Sequence, residues 1–165
     1  MTTERAIVGR AAARGLVASM AMTGFRSFAS GFSPDDPTPP EAIVEHRAPE
    51  AVRRLPEHKR QATTELLHWA YGAAAGGAYG LLPRALRRRP ATGPVYGLAI
   101  WLMFEALLRP LLRIPPAQRR PVVWRAVLAA DHMLYGTAVA GRLAPEPGPP
   151  RERRLMRGWP TGRRR

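Results

Sequence analysis

His68, Glu105, Asp131 and His132 each stand inside an otherwise apolar stretch of this chain. An ionisable group in such surroundings is costly to desolvate, so it is held by a partner, carries a proton or binds an ion. Two histidines on adjacent helices can ligate a haem or one metal ion; hydrogen bonding across helices is the commoner use of the same residues and the one expected here. Glu65 stands three residues before His68, the Glu-x-x-His spacing of di-iron bundles. Ala129 occupies the matching place before His132, so the second half of such a site is missing. Glu105 has Arg109 one helical turn later, the favourable order for an ion pair. Asp131 and His132 are sequence neighbours and point in different directions on a helix, so Asp131 is expected at a boundary or paired with Arg125 or another helix. The chain holds no serine nucleophile elbow, phosphate loop or zinc-protease motif, and no cysteine. No catalytic residue and no resident metal are expected; haem is the cofactor alternative.

Four blocks must position these residues: 6–29, 66–83, 94–112 and 122–143. A spanning helix takes about 20 mostly apolar residues. The second block (LLHWAYGAAAGGAYGLLP) has His68 as its one ionisable residue and lacks the polar face of a water-exposed helix. It is rich in glycine, which costs roughly 1 kcal/mol per residue against alanine in an exposed helix. In lipid, glycine instead lets helix backbones approach closely. These features predict an all-α polytopic membrane bundle of about four transmembrane helices. The first block is the short one, because Arg14 and Arg26 bracket its apolar centre. Arginines at both ends can snorkel to the headgroups. A cleaved signal peptide is the alternative there, given Arg5, Arg10 and Arg14 before an apolar stretch and the small residues Ser27, Ala29 and Ser30.

A repeat links two blocks. His68-x-x-Tyr71-Gly72-x-Ala74-x-Gly76 is echoed by His132-x-x-Tyr135-Gly136-x-Ala138-x-Ala140. The pattern predicts two related hairpins about a pseudo-two-fold axis. Residues four apart share a helix face, so Gly72, Gly76 and Gly80 form a small-residue stripe headed by His68. Gly136 and Ala140 form its counterpart below His132. Ala11, Gly15, Ser19, Thr23 and Ser27 make a third seam. Packing is the expected role of all these glycines.

The averages conceal this organisation: the 165 residues are 45% hydrophobic with a net charge of +14, and their mean hydropathy is −0.24. Lys59 is the only lysine; arginine-rich codon usage explains the type of cation but not the excess over acids. Such an excess suits anionic headgroups, nucleic acid or acidic proteins. Residues 30–64 form an extramembrane loop, beginning SPDDPTPPE and continuing as one or two short amphipathic helices interrupted by Pro49 and Pro56. Residues 144–165 read as a disordered, arginine-rich tail. With four spans, the amino end, the loop 84–89 and the tail share a side and carry most of the cations. This predicts a multi-pass inner-membrane protein with both termini cytoplasmic. Arg113, Arg119 and Arg120 in the third loop strain the rule.

The chain resembles the YagU-like small bacterial inner-membrane proteins, whose function is unassigned. The likeness covers most of 15–143 and lies in a first helix ending in Arg26, the Pro39–Pro40 segment and the histidine-led small-residue helices at His68 and His132. The shortened first apolar block and the arginine-rich tail depart from the family. The resemblance implies four spans and supplies no reaction. The expected function is therefore a non-enzymatic membrane protein that assembles with itself or a membrane partner and meets anionic headgroups through its arginines. A carrier or redox subunit using His68, Glu105, Asp131 and His132 is the first alternative. A soluble helical nucleic-acid-binding protein is the second, disfavoured because the basic runs lack interleaved aromatics.

Overall fold

The structure, a computed structural model, describes residues 2–29, 39–114 and 122–143. The expected disordered tail, the proline-rich start of the loop and Arg119–Arg120 lie outside these residues. The described residues are all-α: α1 (Thr2–Ala29), α2 (Pro39–Arg47), α3 (Glu50–Arg53), α4 (Glu57–Leu81), α5 (Arg84–Arg87), α6 (Thr92–Met103), a π-helical segment (Phe104–Leu108), α7 (Arg109–Leu111) and α8 (Val122–Val139).

Proline punctuates the chain. Pro49, Pro56 and Pro83 each immediately precede a helix, and their fixed φ suits that entry. Between Pro56 and Pro83 nothing breaks the helix, so α4 begins at Glu57 rather than at the expected span boundary, Leu66. The loop's last charged turns and the second apolar block are thus one continuous helix. Pro110 lies just beyond the π-helical segment. It lacks the N–H that the Ala106 carbonyl would accept, and the Arg109 N–H bonds Phe104 O, five residues back, instead. α8 ends with Gly141 at φ +73°, while Arg142 N–H bonds Thr137 O and Gly141 N–H bonds Ala138 O. That paired closure needs a left-handed residue, and glycine adopts it without a Cβ clash.

The helices associate as two antiparallel pairs, α1 with α4 and α6 with α8, joined mainly where α1 meets α8. Small residues set both crossings. A Cβ built on Gly15 would overlap the Gly72 carbonyl, and one on Gly76 would overlap the Ala11 carbonyl. In the second pair, Gly97 lies against the His132 carbonyl and Gly136 against Gly93. Backbones this close leave no room for side chains and gain dispersion along the whole contact. Tyrosines tie one pair to the other. Tyr135 donates to the Gly72 carbonyl at 2.6 Å and Tyr96 to the Ala75 carbonyl at 2.7 Å, while Tyr79 and Tyr96 meet edge to face at 5.2 Å.

The interior is accordingly small and polar-tipped. Ala18, Met22, Ala75, Tyr79, Tyr135 and Val139 form its core. The largest side chains under 2% exposed are Val139 and Ser19. Large apolar residues stand outside, among them Val17, Leu66, Leu81, Leu102, Leu107, Val123 and Leu134.

Among the described residues, one helix is long and apolar enough to cross a membrane, the continuous run Thr92–Leu111. The other three expected spans are helical but more polar. Arg10 and Arg14 dilute α1. Histidine, tryptophan, tyrosine and glycine dilute α4, and Arg125, Asp131 and His132 dilute α8. Four spans are therefore more than hydropathy alone supplies.

Candidate functional site

Toward the carboxyl end of α1, the small-residue seam includes Thr23, whose hydroxyl bridges to α4. It donates to Glu65 Oε2 at 2.6 Å, accepts from Trp69 Nε1 at 3.1 Å and lies 3.3 Å from His68 Nδ1. A hydroxyl has one proton and two lone pairs. With its proton committed to the Glu65 carboxylate, Thr23 accepts from both rings, which places the His68 proton on Nδ1. Glu65, dismissed with the di-iron motif, is thus a network member, and Thr23 does more than pack. The clue in the sequence was the four-residue register that puts the Thr23 hydroxyl on the α1 seam.

His132 has the same tautomer by a different route. Its Nδ1 donates to the Leu128 carbonyl, one turn back, at 2.8 Å. In the neutral form of a ring held this way, the second nitrogen, Nε2, carries the lone pair. A histidine whose Nδ1–H is held in this way is oriented as metal- and haem-ligating histidines are.

The two rings share a cavity of about 330 Å³. Its walls are mostly apolar, from Met22, Leu67, Ile100, Phe104, Leu108 and Leu128, with Ile43 of α2 at one side. The polar contribution comes from His68, Tyr71, Asp131, His132 and Trp101. Trp101 Nε1 is buried with no hydrogen-bond partner among the described residues. Asp131 also lines an adjoining apolar pocket of about 400 Å³ beside Ala18, Phe25, Leu134 and Tyr135. The structure therefore brings together His68, Asp131 and His132 of the expected polar site.

Glu105 is the exception. It does not line the cavity, and its carboxylate stands 3.2 Å from Arg109, the ion pair that their spacing predicts. Arg109 is buried at 6% exposure, and its guanidinium carbon lies 5.8 Å from the centroid of the Phe104 ring. Glu105 lies in the π-helical segment and Arg109 caps it, so their separation on the helix surface is not that of a regular α-turn. Among the described residues no three His, Asp or Glu side chains are grouped as a metal ion would need.

The packing residues lie in the two helix crossings, α1 with α4 and α6 with α8. Gly72, Gly76 and Gly80 lie against Ser19, Ala11 and Val8 of α1, and Gly136 and Ala140 lie against Gly93 of α6. Gly93 and Gly97 were not singled out in the sequence; they stand in an apolar run that carries no histidine signal. On the outer flank of α4, Glu41, Glu45, Glu57 and Glu65 alternate with Arg53 and Arg60 around a polar cleft of about 380 Å³. Nearby, hydrogen bonds from Arg54 and then Arg53 hold the exposed Glu50 carboxyl below its ordinary range. No family model, curated protein or solved structure matches the chain.

Proposed function

We propose that this chain is a multi-pass inner-membrane protein of about four spans whose role is assembly, with itself or with a membrane partner, rather than catalysis. One observation carries the reading: many large apolar side chains face outward, while the contacts between helices are made largely by glycine, alanine, serine and tyrosine with a few larger residues such as Met22, Phe104, Leu128 and Val139. Water would favour the reverse arrangement, since exposed apolar area costs about 25 cal/mol per Å². Lipid removes that penalty and leaves close backbone packing as the driving force. The most apolar helix supports this, because only 17% of its most apolar window is buried. Length supports it as well. At about 1.5 Å per residue, α1, α4, the Thr92–Leu111 run and α8 are each long enough to reach across or nearly across a hydrocarbon layer of about 30 Å.

The orientation proposed is amino and carboxyl termini in the cytoplasm, on the arginines of α1, α5 and the tail. The likeness to YagU-like proteins points to four spans and to no reaction. Carbonate extraction of membranes tests the first half of the proposal, and release into the supernatant would end it. The native mass of the detergent-purified protein tests the second: an oligomer or a co-purifying membrane protein is expected, and a single unaccompanied chain would refute assembly.

A carrier or redox role has one observation in its favour, the cavity shared by His68, Asp131 and His132. A Soret band lost in His68→Ala and in His132→Ala would favour it. A featureless spectrum would count against haem.

A further inference from the structure

The cavity that His68, Asp131 and His132 border is built for more than those three groups. Trp101 lines it, and the Trp101 Nε1–H is buried with no hydrogen-bond partner among the described residues. An indole nitrogen only donates, and a buried donor is costly to leave unpaired, so the site is short of an acceptor. A second observation comes from the π-helical segment. Its first and last residues, Phe104 and Leu108, both line the cavity. Such widened turns recur at functional sites. Flat rings bound the space, those of Trp101, Phe104 and Tyr71. Leu67 and Tyr71 are also 53% and 42% exposed, so the cavity opens outward along α4. Its volume of about 330 Å³ falls among small-molecule sites, which start at about 300 Å³. The walls disfavour a charged occupant. Asp131 is already engaged by another group, and no arginine or lysine lines the cavity among the described residues. A carboxylate placed there would lose its hydration with no cation in exchange.

We propose that this cavity binds a neutral, flat, lipid-soluble molecule bearing a carbonyl oxygen, the chemistry of a quinone ring, with Trp101 Nε1 donating to that carbonyl. The ring packs among aromatic walls by offset and edge contacts. The carbonyl is the acceptor that the indole lacks, and a hydrocarbon tail leaves the site past Leu67 and Tyr71. A site of this kind extends the carrier reading above by naming its ligand, and it takes no metal at either histidine. Entry of the ligand from the bilayer rests on the membrane reading; the site itself does not.

The test uses the full chain purified in detergent and isothermal titration with two probes, a decyl-substituted benzoquinone and decylbenzene, which has the same tail on a ring without carbonyls. Saturable binding of the quinone is expected. Trp101→Phe keeps an aromatic ring and removes the N–H, so it should weaken quinone binding by about three- to ten-fold, the worth of one hydrogen bond. Decylbenzene should bind the wild type more weakly than the quinone does, and should bind Trp101→Phe as well as it binds the wild type. Trp124→Phe, the same change outside the cavity, should leave both affinities unchanged. Quinone uptake that does not saturate in the wild type would overturn the site. Equal quinone affinity in the wild type and Trp101→Phe would overturn it too, and so would a loss in Trp101→Phe that is equal for both probes, because shape rather than a hydrogen bond would then be at stake. Carbonate extraction reports separately on the membrane: a chain released from membranes that still binds the quinone through Trp101 keeps the site and loses only the route through lipid.

Discussion

Thr23 illustrates how one hydroxyl organises its surroundings. It is acceptor to Trp69 and His68 and donor to Glu65, so it satisfies three polar groups from a single position. Thr23→Val keeps the shape and removes all three contacts. It is expected to lower stability by about 0.5–1.5 kcal/mol, the net worth of a partly buried hydrogen bond. Thr23→Ser should recover most of that loss. Thermal melting of both variants in detergent checks it, and equal midpoints would show that the network is not holding α1 to α4.

At the level of elements, the two helix crossings depend on glycines whose missing Cβ is occupied by another backbone. Gly97→Ala would drive a methyl into the His132 carbonyl. The expected loss is about 1–3 kcal/mol from overpacking. Gly9 has nothing within 4 Å of its absent Cβ, so Gly9→Ala should be neutral or stabilise by about 0.5–1 kcal/mol through helix propensity. The opposite signs, read as melting midpoints, separate packing from propensity. The π-helical segment makes a second prediction. Glu105→Ala leaves Arg109 buried without its 3.2 Å carboxylate, at a cost of about 3–5 kcal/mol. The double variant Glu105→Ala with Arg109→Met should be more stable than Glu105→Ala alone, because it removes the stranded charge. A double variant that melts below both single changes would contradict this.

For the molecule as a whole, the inside-out distribution of side chains distinguishes lipid from water. Leu102 is 48% exposed on α6. Facing water, Leu102→Arg would change stability by no more than about 0.5 kcal/mol. Facing the middle of a bilayer, it would cost about 2.5–3.5 kcal/mol of insertion free energy. Reduced recovery in the membrane fraction is therefore expected, and unchanged recovery would count against the proposed topology. The two ends of the bundle also differ in chemistry. One carries the arginines of α1 and α5 with Tyr79, and the other carries the histidine cavity with the Glu–Arg pairs of α3, α4 and the π-helical segment.

By itself the sequence determined the helical class and where helices break, because proline and glycine act locally through backbone geometry. It also pointed to the Glu105–Arg109 pair, since opposite charges four residues apart on a helix stay within reach even where the turn widens to π geometry. Tertiary structure decided the rest. That His68, Asp131 and His132 border one cavity while Glu105 does not is set by how α4, α6 and α8 rotate against each other. That rotation comes from glycine contacts between residues far apart in the chain, such as Gly15 with Gly72 and Gly97 with His132. Gly97 was not legible as a contact because its partner is a carbonyl, which every residue possesses. Tyr79 read as one more aromatic of an apolar block; only the fold places its hydroxyl beside three arginines drawn from two other helices.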